Sequence, residues 1–309
     1  MLDIAQVILP VFLVLAAGYI VAWTRLITTD GFDQIMTFAQ KIAVPCLLFQ
    51  GISKLDLGQN FELNLLSAFY LGAVVAFVLG ILGARLGFGR SWEDSVAIGF
   101  CCLFSNTLML GLPISERAFG TESLAPNFMI ISLHAPVCYA IGVTVMEMMR
   151  QNGSGAGAVA LGIVRSMARN AMVLGIIAGF SVNLTGLPVP GVVNDAVGWM
   201  ARSAIPVALF ALGGVLLRYR PEGDLRVILM VCGISLLIHP AIVWGMGRWL
   251  GLYAEQFRAA IITSAVAPGI NAYLFADMYG RARRVAASSV LISTALAMFT
   301  VWGWLVALG

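Results

Sequence analysis

The chain has 309 residues, 60% hydrophobic and only 11% charged, with 18 Lys and Arg against 15 Asp and Glu and a formal net charge of +3. Soluble domains carry about 25% charged residues, and a mean hydropathy of +0.94 over the whole length requires apolar segments from end to end, so a soluble globule is excluded. The basic residues are scattered between apolar runs and leave no basic face for a nucleic acid, so charge here reads as a topology signal in a polytopic membrane protein.

Taken in chain order, apolar runs between charged or Gly/Pro-rich breaks predict ten membrane spans, each near the roughly 20 residues that a bilayer needs. The first five lie near 4–23, 34–53, 63–85, 95–119 and 127–149, and the second five near 167–185, 194–217, 225–250, 256–279 and 285–308. The N-terminus lacks a basic leader and a cleavage signature before the first run, so the first helix is expected to be retained. Gln151 to Gly157 is rich in Gly and Ser and reads as the start of a flexible linker, 151–166, between repeats at 1–150 and 167–309. Cys46, Cys101, Cys102, Cys138 and Cys232 all fall within apolar runs without paired spacing and read as small buried hydrophobes. No cofactor or metal is expected.

Orientation follows from the basic loops. With the N-terminus outside, twelve basic residues fall on the cytoplasmic side (Arg25, Arg85, Arg90, Arg150, Arg165, Arg169, Arg218, Arg220, Arg226, Arg281, Arg283, Arg284) against four outside (Lys54, Arg117, Arg248, Arg258). Both termini are therefore expected outside and the linker in the cytoplasm. The halves also match each other. Ala43-Val44-Pro45 followed by Phe49 corresponds to Ala204-Ile205-Pro206 followed by Phe210, and Ala17-Gly18 to Ala178-Gly179, both at an offset of 161 residues, with further pairs at 160 and 164. An odd number of spans per half reverses the second half in the membrane, which predicts two inverted five-helix repeats, an architecture of secondary transporters.

In span four the apolar run is interrupted by Ser105-Asn106-Thr107, then Gly111 and Pro113; in span nine it is interrupted by Pro268-Gly269 and Asn271. Proline removes a backbone donor and glycine lets the chain unwind, so both spans are predicted to be broken near mid-membrane, where free backbone groups are tolerated only around a cavity or ligand. Two half-helix N-termini aimed at one point would suit an anion, with Asn106 and Asn271 adding side-chain donors.

The same residues resemble a known family, the auxin efflux carriers, which includes plant PIN-type auxin exporters and bacterial permeases described as carrying malonate or malate. Asn106 to Pro113 (NTLMLGLP) is similar to the plant motif NTLVMGIP, Gly269 to Tyr279 to GIVPFVFAKEY, Ala43 to Phe49 to AVPLLSF, and Arg169-Asn170 to the RN that opens the sixth span. The resemblance covers nearly the whole chain apart from the linker. It implies an all-α protein of ten helices, with a scaffold of spans one, two, six and seven. The other six spans would form a transport domain whose fourth and ninth helices cross. It also implies an elevator-like alternation of access, a substrate carboxylate held near the crossing, and a homodimer. Pro45 and Pro206 would be hinges of the scaffold. Asn106 carries over as an anion donor, whereas Asn271 replaces a valine and His134 a glutamine of the plant proteins.

Lys41 and Arg202 occupy repeat-equivalent places, each four residues before the proline of its span. Basic residues within lipid are costly and usually functional, so they either attract a more highly charged anion such as a dicarboxylate or snorkel and pair with acids such as Asp33 and Asp195. Candidates for coupling to a proton or sodium ion are Glu116 and Asp277, which follow the two breaks, and His134 and His239 within spans. Substrate contacts are expected from Ser105, Asn106, Thr107, His134, Gly269 and Asn271. The rival of the same architecture, a sodium-coupled carrier of the bile-acid type, would be expected to present several carboxylate and amide ligands behind the crossing, where only Ser105, Thr107, Ser264 and the two asparagines are candidates. A membrane enzyme is disfavoured, since no HExxH, GxSxG, Walker or CxxC pattern occurs. The expectation is an inner-membrane carrier of small organic anions.

Overall fold

The computed structural model describes residues 2–55, 63–150, 170–219 and 221–309; the predicted linker, together with Arg165, Arg169 and Arg220, lies outside them. Most of the described residues are helical, and none forms a strand beyond one isolated bridge between Ser105 and Pro268. In chain order the helices are α1 (Leu2–Trp23), α2 (Thr29–Phe38), α3 (Val44–Ser53), α4 (Leu63–Leu82), α5 (Trp92–Leu103), α6 (Leu112–Phe119) and α7 (Leu124–Met149). They continue as α8 (Ala171–Thr185), α9 (Gly191–Leu216), α10 (Leu225–Gly233), α11 (His239–Trp249), α12 (Ala254–Ala265), α13 (Ile270–Tyr279) and α14 (Arg283–Leu308).

Among the described residues, seven helical segments are long and apolar enough to cross a membrane: Ile4–Trp23, Thr29–Ser53, Leu63–Gly87, Leu124–Met149, Gly191–Leu216, Leu225–Trp249 and Arg283–Leu308. Two helices begin a few residues before the expected apolar run where a polar residue caps the first turn and carries the helix into the preceding loop. Thr28 accepts from the Gly31 amide, so α2 starts at Thr29 rather than near 34, and Ser91 accepts from the Asp94 amide at the start of α5.

Wide π-turns interrupt the helices at Ala39–Ala43, Thr107–Gly111 and Ile234–Ile238, and in each case a proline follows two residues later: Pro45, Pro113 and Pro240. Proline cannot donate to the carbonyl four residues back and its ring crowds that carbonyl; a wider turn removes the conflict without ending the helix. A fourth wide turn, Gly83–Gly87, has no such proline and lies at the end of its helix.

The described residues fall into two compact units, one within Leu9–Phe61 and Val164–Arg218 and the other within Met1–Ile8, Glu62–Ile163 and Tyr219–Gly309. The first holds most of α1 with α2, α3, α8 and α9, and its helices touch through glycines. A side-chain carbon on Gly18 would overlap the Phe210 carbonyl oxygen, and one on Gly213 the Leu15 carbonyl oxygen, so α1 and α9 meet backbone to backbone. Gly175 and Gly179 of α8 give the same close approach to the Pro45 and Phe49 carbonyls, at 2.6 and 3.0 Å from the carbon they lack. Without a hydrophobic drive between helices in lipid, such small-residue contacts gain the dispersion that holds helices together.

The second unit contains α4 to α7 and α10 to α14. Its charged groups gather at two ends. At one, Arg90 pairs with Asp224 at 2.9 Å, Arg281 with Glu93 at 2.8 Å and Arg284 with Glu222 at 3.6 Å, while Arg150 lies over the Tyr279 ring. At the other, Arg117 donates to the Gln6 and Val7 carbonyls, Arg258 covers Phe119, and Asn64 donates to the Leu250 carbonyl.

Candidate functional site

The two predicted breaks meet inside the second unit. Helix α5 ends at Leu103 and the chain runs extended through Phe104 to Asn106; α12 ends at Ala265 and the chain runs extended from Val266 to Gly269. Ala267 precedes a proline, which disfavours helical backbone at that point. The two stretches lie antiparallel, with the Asn106 amide donating to the Ala267 carbonyl at 2.8 Å and the Gly269 amide to the Phe104 carbonyl at 2.9 Å. Ser105 and Pro268 face each other between these bonds. At that position of an antiparallel pair neither residue donates across, so proline's missing N–H leaves no gap.

The bridge sets two helix starts side by side. Asn106 caps the turn that leads into α6, its Oδ1 accepting from the Met109 amide at 3.3 Å, and Gly269 caps α13. A side-chain carbon on Gly269 would lie 3.6 Å from the Asn106 Cα, so little separates the two caps. Both N-termini carry the positive end of a helix dipole and amides that lack intrahelical partners. With its oxygen bound at the cap, the Asn106 amide is left as a donor. Asn271, in the first turn of α13, accepts through Oδ1 from the Tyr139 hydroxyl at 3.3 Å. The arrangement offers hydrogen-bond donors and positive potential, which is chemistry for an anion such as a carboxylate.

Among the other predicted residues, Ser105, Thr107, Gly111, Pro113, Pro268 and Gly269 are buried in or beside the bridge. Gly111 allows α6 its approach to Thr263, whose Cα would be 3.3 Å from an added carbon. His134 is buried and bonded within the break itself: its Nε2 lies 3.1 Å from the Ser105 carbonyl oxygen. A carbonyl only accepts, so Nε2 carries the proton. Phe69, Tyr70 and Phe104 surround the imidazole. His134→Phe keeps a ring in this cage and removes the donor; it is expected to lower unfolding free energy by about 1–2 kcal/mol, read as a drop in thermal midpoint of the purified protein, and an unchanged midpoint would refute the bond's contribution. The Ser264 hydroxyl donates to the Ile261 carbonyl at 2.8 Å.

The remaining residues are not brought to the bridge. Glu116 is ten residues beyond Asn106 and Asp277 eight beyond Gly269, roughly 15 and 12 Å along their helices at about 1.5 Å per residue. Asp277 is exposed and pairs with Arg283 at 3.1 Å. Lys41 and Arg202 are exposed residues of the first unit, as is Pro206, while Pro45 is half-buried there. Asp33, named as a possible partner of Lys41, is taken by Arg218, and among the described residues no ion pair joins Asp195 to Arg202. Arg218 wins because its side chain also donates to the Thr29 carbonyl beside Asp33. Two features of the site escaped sequence reasoning. Tyr139 reaches Asn271, and Thr263 donates to the Asn127 oxygen; each pair is separated by more than a hundred residues, and no spacing announces it.

The sequence pattern of a family described as membrane transport protein matches residues 3–305. The chain belongs to the auxin efflux carrier family. A Rhizobium meliloti (strain 1021) protein named "Putative malonate transporter" is 24% identical over 99% of this chain and 96% of its own length. Auxin efflux carrier component 5 of Arabidopsis thaliana is 22% identical over 90% of this chain and 88% of its own. Auxin efflux carrier component 4 of the same plant is 29% identical over 46% of this chain and 23% of its own. Family membership and the seven apolar helices make the chain an integral membrane transporter of a small molecule.

Proposed function

We propose that the protein is a secondary transporter of small organic anions, carboxylates of the malonate, malate or auxin kind, working by elevator-type alternating access in the bacterial inner membrane. The observation that carries this reading is the antiparallel bridge that joins the two broken helices and sets their N-termini together with Asn106. Paired helix N-termini with an amide donor favour an anion as the ligand. The names of the relatives support a carboxylate as the substrate.

The architecture behind this reading has ten spans, with α5–α6 and α12–α13 as broken fourth and ninth spans and α8 in the sixth. Two inverted repeats are supported by an exchange of contacts. Gly18 packs on the Phe210 carbonyl and Gly179 on the Phe49 carbonyl, the same contact with the halves interchanged at an offset of 161. The division into units supports a scaffold of spans one, two, six and seven and a transport domain of the rest. Because the bridge lies wholly within one unit, a bound anion would travel with that unit, as an elevator requires. The grouped ion pairs of Arg90, Arg281 and Arg284 support a common side for the basic loops, which the positive-inside rule assigns to the cytoplasm, leaving both termini outside.

Uptake of labelled malonate, malate and indole-3-acetate into proteoliposomes tests the proposal, with and without an imposed proton or sodium gradient. Saturable flux of at least one anion is expected, and its response to each gradient reads the coupling. Absence of saturable flux for all three from well-folded protein would overturn the reading.

A further inference from the structure

We propose that Tyr139 is a positioning residue that sets selectivity for anions by fixing which end of the Asn271 amide faces the substrate; this rests on the anion-binding reading of the helix breaks. Helix α7 braces both breaks. His134 donates to Ser105 of the first, and Tyr139, five residues further along, donates to Asn271 of the second. The first contact bears on one strand of the bridge and the second on the helix that follows the other strand.

The Tyr139 ring is held from several sides. Its centroid lies 5.5 Å from that of Phe100, 5.8 Å from Phe104 and 6.4 Å from Phe275. Phe100 and Phe275 are themselves stacked at 3.9 Å, and Gly142, one turn along α7, leaves Phe100 the room to lie there. A clamped ring fixes its hydroxyl in space.

The amide has two ends of opposite character. With the phenol hydrogen on Oδ1, the NH2 group is the end left to donate, and a carboxylate accepts from it. Turned over, the same side chain would present a carbonyl oxygen to an anion and repel it. A valine in this place would offer neither end.

Tyr139→Phe keeps the ring and removes only the hydroxyl. In proteoliposomes, with labelled malonate, malate and indole-3-acetate each measured, the variant is expected to raise KM for the transported anion about tenfold while Vmax per folded protein stays unchanged. Inhibition by the neutral methyl ester of that anion should be unaffected, so discrimination between acid and ester falls. Tyr139→Phe combined with Asn271→Ala should raise KM no further than Asn271→Ala alone, and the two changes should be similarly non-additive in thermal midpoint. A wild-type KM in Tyr139→Phe, or multiplicative effects in the double variant, would overturn the proposal. Asn106→Ala separates the two levels: lost flux there with normal kinetics in Tyr139→Phe removes only the role of Tyr139, whereas wild-type flux in Asn106→Ala, or no flux from the wild type, removes the anion site and this proposal with it.

Discussion

Asn106→Ala is expected to cut uptake of the transported anion by about 10- to 150-fold at sub-saturating concentration, because a hydrogen bond to a charged group contributes about 1.5–3 kcal/mol and each 1.4 kcal/mol is a factor of ten. The same change removes the cap on the Met109 amide, which costs roughly 1 kcal/mol of stability. The two roles can be separated. Asn106→Asp keeps an oxygen for the cap, and its negative charge suits a helix N-terminus, but it has no N–H and repels an anion. Asn106→Asp is therefore expected to fold as well as the wild type and to transport no better than Asn106→Ala. Flux into proteoliposomes, normalised to protein that elutes as a single folded species, makes the comparison. Transport by Asn106→Asp near the wild-type rate would show that the amide donors do not meet the substrate.

Gly213→Ala is expected to be among the most destabilising single-methyl substitutions in the chain. The added carbon would overlap the Leu15 carbonyl oxygen and crowd the Tyr19 amide, and both obstacles are backbone, which cannot rotate aside. Helices α1 and α9 would have to part along their contact, and forced overpacking costs about 1–3 kcal/mol even where side chains can adjust. Gly18→Ala meets the Phe210 carbonyl in the same way. Gly179→Ala meets the Phe49 carbonyl at 3.0 Å and should cost less. Gly303→Ala is the control: nothing lies near its added carbon, and alanine is the better helix former by about 1 kcal/mol. Thermal midpoints in one detergent should fall in the order Gly303→Ala, Gly179→Ala, Gly213→Ala, from highest to lowest. Equal midpoints for Gly213→Ala and Gly303→Ala would contradict the backbone contact.

These glycines also mark how much the amino acids disclose before folding. Ala17-Gly18 and Ala178-Gly179 are visible as a repeated pair, but that Gly18 serves the Phe210 carbonyl and Gly179 that of Phe49 is a contact across nearly two hundred residues in one case and more than a hundred in the other. Prolines are similar. Pro113 forecasts a disturbed helix, yet the wide turns that precede Pro45, Pro113 and Pro240 depend both on the lost donor, which is local, and on the packing of neighbouring helices, which is not.

The seven apolar helical segments were readable because lipid imposes a local rule: each helix must be apolar along its own length, so such a run announces itself without reference to the others. The breaks in α5–α6 and α12–α13 were readable for the same reason, since Ser105-Asn106 and Pro268-Gly269 interrupt those runs by their own chemistry. Partnership obeys no such rule. The bridge of Ser105 with Pro268, the bond from His134 to Ser105 and that from Tyr139 to Asn271 depend on where α7, α12 and α13 come to rest. Glu116 and Asp277 follow the breaks in sequence, and the rise of a helix carries them away to its far end. Side chains thus declare locally whether a segment can lie in lipid and where it must break, while the packing of distant helices settles which of them meet.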